Sequence, residues 1–251
     1  LEDRPARFYQ SVELSGLDAW LEKYPDYERP ERSISYYNKG ELLGYLLDLA
    51  IRYHSGGRYG LDELMRRLNV NFAERHGDFS DEDLIRIASL LAPPGSWAQG
   101  FFERYVYGTQ ELDYATYLSY AGLQVSGKPY AAPDWGFQAA RGLSGLIRVS
   151  TVNPSSGAAH AGLRDGDALM ALDGQTLYAL PQDVSGLKPG QRVELTVWRS
   201  CWMLEIAFRL GSRLETLYRI TEMPNTVPLQ IEIRKGWLEG GTVSRADASK
   251  P

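Results

Sequence analysis

Apolar residues recur at intervals of three and four through the first half of the chain and at intervals of two through much of the second. That change of period predicts a helical part followed by a β-rich part. From Lys39 to His54, Leu42, Leu43, Leu46, Leu47, Ala50 and Tyr53 share one helical face, and Ser55-Gly56-Gly57 ends the run. A second helix is expected near 60–75, with Leu61, Leu64, Met65, Leu68 and Phe72 inward. Ser80 and Asp83 form a capping-box start for a third helix over 81–91, which Pro93-Pro94-Gly95 terminates. Ser96 is expected to cap a fourth helix carrying Trp97, Phe101, Phe102 and Tyr105, and a short helix over 113–121 follows. Residues 1–32 read as mixed, with Pro25 and Pro30 breaking any long helix.

After Gly122 the alternation changes. Val193, Leu195 and Val197 alternate with Glu194, Thr196 and Trp198, and Leu204, Ile206 and Phe208 with Glu205, Ala207 and Arg209. The stretch 214–238 is apolar without a clear period, and 239–251 read as disordered. The expected organisation is a helical lobe over 1–122, a β-rich domain over 123–212, and a tail over 213–251 that packs back on the lobe. The fold class is α+β.

Composition narrows the function. Apolar residues make up 43% of the 251 residues and charged residues 24%, the balance of a globular protein with room for two cores. The net charge is −5 and the basic residues are scattered, which argues against nucleic acid. No apolar run approaches a membrane span. The single cysteine, Cys201, excludes a disulfide framework and is expected to be a buried, inert thiol. His54, His76 and His160 lie too far apart for an HExxH pair, so no metal-ligand set is expected in these residues. They read as surface or capping residues, with His54 at a helix C-terminus that favours a cation. The first residue is Leu and no signal-peptide pattern follows, so the compartment, cytoplasmic or periplasmic, is left open.

Two motifs carry chemistry. Ser35-Tyr36-Tyr37-Asn38-Lys39-Gly40 opens the Leu-rich helix, and its Tyr-x-Lys-Gly segment resembles the one that supplies a transition-state tyrosine in gluzincin-type zinc aminopeptidases. The fuller motif, the Asp48-Leu49 pair, Gly56-Gly57-Arg58, Leu61 to Met65, Phe102 to Thr109, and Gln230 with Trp237-Leu238 resemble the glycyl aminopeptidase family over residues 10–238. The second motif, Ala161-Gly162-Leu163-Arg164-Asp165-Gly166-Asp167 with the strand 168–172 and Asp173-Gly174, resembles the core of a PDZ domain.

These resemblances imply a C-terminal piece of a thermolysin-like catalytic domain followed by a PDZ-like domain. They imply a parent peptidase that uses zinc and cleaves glycine or alanine from peptide N-termini. Tyr37 would be the oxyanion donor, with Tyr36 the alternative because the two are adjacent. Trp135-Gly136-Phe137 would be the loop that holds a peptide terminus, opposite a helix near 179–186. Without HExxH the 251-residue piece is expected to be inactive alone. Two other readings stand beside this one: a non-catalytic module that binds partner peptides, and a structural spacer.

Overall fold

The computed structural model describes residues 4–21, 33–94, 96–142, 145–181 and 184–241. Pro25, Pro30, Gly95 and the 242–251 part of the expected disordered end lie outside them. The described chain contains both helices and antiparallel sheet, an α+β fold, and divides into two compact units: 1–126 with 218–251, and 127–217.

The first unit is built on α2 (Tyr36–His54), with α3 (Leu61–Asn71), α4 (Asp81–Leu91), α5 (Ser96–Tyr105) and α6 (Tyr114–Ser119) following in order. α2 is buried more widely than a one-sided stripe allows. Leu49 and Ile51 are as inaccessible as Leu46 and Ala50, because several helices enclose it, while Tyr53 of the expected face is exposed. The Ser80–Asp83 capping box forms as expected, with Asp83 N–H donating to Ser80 Oγ at 3.3 Å and Ser80 N–H to Asp83 at 3.2 Å. α5 begins at Ser96 itself, so that serine is helical and not its cap. Pattern reading missed a helix, α1 (Val12–Leu21), whose first turn is held by Leu14 N–H donating to Ser11 Oγ.

The tail is more ordered than its pattern suggests. β8 (Gly211–Glu222) pairs with β1 (Leu123–Asp134), and α8 (Pro228–Glu239) buries Ile233 in the first unit's core. Gln230 does structural work there: its side chain accepts Val227 N–H at 2.9 Å and donates to the Ser119 carbonyl at 2.8 Å.

The second unit is an antiparallel sheet of β2 (Phe137–Arg141), β3 (Ile147–Val152), β4 (Ala168–Leu172), β6 (Arg192–Arg199) and β7 (Trp202–Arg209), in the order β2-β3-β4-β6-β7. The short β5 (Gln175–Thr176) joins β4 through the Asp173-Gly174 turn, and α7 (Gly157–His160) covers β7. The alternation of β6 is realised in full: Val193, Leu195 and Val197 are wholly buried. In the stretch where a helix near 179–186 is expected, Pro181 is in a 3-10 turn whose carbonyl accepts Val184 N–H at 3.2 Å, and Ser185-Gly186 form a turn, with 182–183 outside the described residues. One expectation fails here. Cys201 is exposed, because it sits in the two-residue connection between β6 and β7 and not within a strand.

Candidate functional site

Tyr37 is positioned from behind by α1. The extended residues Ser33 to Ser35 run past that helix, where Ile34 N–H donates to Gln10 Oε1 at 2.9 Å and Ser15 Oγ donates to the Ile34 carbonyl at 2.8 Å. Ser15 and Ile34 are fully buried, so these bonds are made away from water and hold the entry to α2 firmly. Ser35 then caps the helix: its hydroxyl accepts Asn38 N–H at 3.3 Å and reaches the Asn38 side-chain carbonyl at the same distance.

The two tyrosines fall on the first turn. Tyr36 is half-buried, whereas Tyr37 is 61% exposed and turns its phenol to solvent. The rings lie 4.2 Å apart, tilted by 32°. Lys39, two residues on, is buried, and that burial pulls its ammonium below the usual lysine pKa. An exposed phenol on a braced helix N-terminus can donate one hydrogen bond to an approaching anionic oxygen, with the helix dipole favouring negative charge there. Gln10 and Ser15, which brace it, had no signal in the sequence, since they act on a backbone 19 to 24 residues away.

The helix that follows explains the Asp48-Leu49 part of the motif. Asp48 Oδ1 accepts Leu61 N–H at 2.7 Å and so caps α3 from another helix, since Gly60 at the cap position has no side chain to offer. The same oxygen accepts from Arg52 Nε at 3.0 Å, and Arg52 Nη1 donates to the Gly241 carbonyl at 2.6 Å.

Among the described residues no three His, Cys, Asp or Glu side chains gather as a metal would require. His54 stacks on Trp97 with centroids 5.0 Å apart, and burial lowers its pKa, so the neutral ring is favoured in place of the expected cation. His76 takes a left-handed backbone, and His160 lies on α7.

In the second unit, Trp135, Gly136 and Phe137 stand at the entry to β2. Trp135 is only 4% exposed and packs edge-on against Phe137 and Phe208, so it belongs to the core. Gly136 has φ +71°, and a Cβ there would stand 2.2 Å from Ser156 Cβ, so glycine is required on both counts. Its N–H donates to Asp134 Oδ1 at 2.9 Å, and its carbonyl accepts Asn153 N–H at 2.8 Å. The loop therefore already holds a carboxylate of its own. β2 lies at an end of the sheet, with β3 on one side.

With this geometry in view, the comparisons give the fold a relative. An aminopeptidase N family protein from Idiomarina loihiensis aligns with 94% of this chain at a TM-score of 0.61 and 24% identity. The chain spans 41% of that protein's length. The chain thus has an aminopeptidase N-like fold over nearly all of its residues. The HtrA-type protease AlgW with decapeptide aligns over 33% of this chain and 30% of its own, at 21% identity and a TM-score of 0.30, too low to relate the folds. No family model and no curated protein matches the chain.

Among the described residues no helix is long and apolar enough to cross a membrane.

Proposed function

We propose that this chain is the tyrosine-bearing lobe and PDZ-like unit of a zinc-dependent aminopeptidase that removes glycine or alanine from peptide N-termini. The zinc, its ligands and the general base would lie outside these 251 residues. The observation that carries the reading is Tyr37, exposed on the first turn of a buried helix whose entry is pinned by Gln10 and Ser15. The aminopeptidase N-like fold supports it.

Tyr37 would donate its phenolic hydrogen to the oxygen that becomes negative as a peptide carbonyl turns tetrahedral. A braced donor is useful there because it needs no reorganisation when charge develops. The PDZ-like unit would bind an extended peptide along the open edge of β2, with alternate side chains facing the sheet.

The test is an assay on glycine and alanine p-nitroanilides. The 251-residue chain alone should give no turnover, with or without added zinc. A longer protein that carries this chain together with a zinc-binding half should turn over, and Tyr37→Phe in it should lower kcat by about 100- to 1000-fold, the loss typical of one oxyanion donor. Tyr36→Phe should change it little. Turnover by the 251 residues alone, or full activity in Tyr37→Phe, sinks the reading.

A further inference from the structure

The second unit carries a polar depression of about 430 Å³ at the end of β3 away from Gly136. Two of its walls follow from register. Arg148 on β3 stands opposite Ala168 on β4, and Ala168 stands opposite Trp198 on β6. These three side chains share one face of the sheet, while Ile147, Leu169 and Val197 point into the core. Ala168, itself fully buried, is small, and the longer Arg148 and Trp198 on either side of it give the depression one cationic and one aromatic wall. Trp198, the last residue but one of β6, is 43% exposed, which leaves its indole open to a ligand.

The charges are not all occupied. Arg199 is committed to Asp167, with Nε to Oδ1 and Nη2 to Oδ2 both at 2.6 Å, and Asp167 is almost wholly buried. Asp165 Oδ1 accepts Val152 N–H at 2.8 Å. Arg148 uses one nitrogen, donating from Nη1 to the Gly166 carbonyl at 3.0 Å. The Arg164 guanidinium makes no hydrogen bond or ion pair among the described residues, and the residue is exposed. Three arginines against two aspartates leave one net positive charge on the lining. That balance suits a monoanion better than a dianion, and the fork of a guanidinium suits a planar carboxylate.

We propose that this depression binds a small-molecule carboxylate carried on an aromatic or apolar body, its oxygens on Arg164 and Arg148 and its body against the indole of Trp198. The contacts are partly exposed, so the dissociation constant should be on the order of millimolar. The site lies at the opposite end of β3 from the Gly136 loop, and the inference does not rest on peptidase activity or on peptide binding.

The test is a titration of the isotope-labelled full chain with benzoate, acetate, benzyl phosphate and benzylammonium, followed by NMR. Benzoate should give saturable shifts at the Gly166 amide and the Trp198 indole N–H by about 20 mM. Acetate should bind several-fold more weakly, and benzylammonium should leave those signals in place. Arg164→Gln and, separately, Arg148→Gln should each weaken benzoate about fivefold or more while the remaining spectrum is unchanged. Three results would overturn the proposal: no saturable shift with benzoate, unchanged affinity in both arginine variants, or tenfold tighter binding of benzyl phosphate than of benzoate.

Discussion

Asp134 gives the loop before β2 an anion of its own, and this shapes what that edge could accept. Its carboxylate takes the Gly136 N–H that a ligand's terminal carboxylate would need. If a peptide pairs along β2 with its C-terminus at this loop, two carboxylates meet. At a separation near 5 Å in a wet surface site their repulsion is about 1 kcal/mol, roughly fivefold in affinity. An amidated peptide should therefore bind wild type about fivefold more tightly than its free acid, and Asp134→Asn should remove the difference, both read by calorimetric titration. A wild-type preference for the free acid would refute this, and absence of binding by either peptide would remove peptide recognition altogether. Single residues were unevenly legible. Tyr37 and Gly136 stand in motifs with marked chemistry, so sequence could single them out. Trp135 could not be told from a groove wall, because burial of an aromatic residue depends on a partner, Phe208, 73 positions away.

At the scale of elements, legibility followed how local the signal is. The third helix was read to its ends because its cap, Ser80 with Asp83, lies three residues apart. β8 escaped because Leu214, Leu217, Tyr218 and Ile220 are spaced without a period and all exposed, as suits a strand of a two-stranded ribbon. α1 escaped because it buries little beyond Ser15. The start of α3 shows a cap that no local rule can find. Asp48 supplies it from 13 positions upstream, and the same carboxylate neutralises Arg52, whose side chain is 3% exposed. Removing it leaves a buried guanidinium short of an anion and an orphaned helix N–H, a loss of about 3–5 kcal/mol. Asp48→Ala should thus bring the first unit close to unfolding in urea melts followed by helical circular dichroism. Asp48→Asn, which keeps an acceptor but no charge, should fall between. A loss below about 1 kcal/mol in Asp48→Ala would mean the pair is solvated and replaceable.

For the whole molecule, the order of period-four and period-two segments was enough to predict an α+β chain, since each period can bury only one kind of surface. Where the sequence reading has a tail over 213–251 packing back on the lobe, the first unit takes up the chain again at Tyr218, and Ile233 joins a core begun before residue 50. The two cores have no residue in common: one gathers Leu49, Leu64, Leu91, Phe101 and Ile233, the other Ile147, Leu169, Leu195 and Ile206. Cooperativity comes from shared packing, so a cavity should be felt mainly by the core in which it is cut. Leu49→Ala and Leu195→Ala each delete a fully buried side chain and should each cost about 2–5 kcal/mol. Amide hydrogen exchange should then separate them. Leu195→Ala should speed exchange in β3, β4, β6 and β7 and spare α2 and α5, while Leu49→Ala should do the reverse. If either substitution accelerates both sets equally, the chain unfolds as one cooperative body in spite of its two cores.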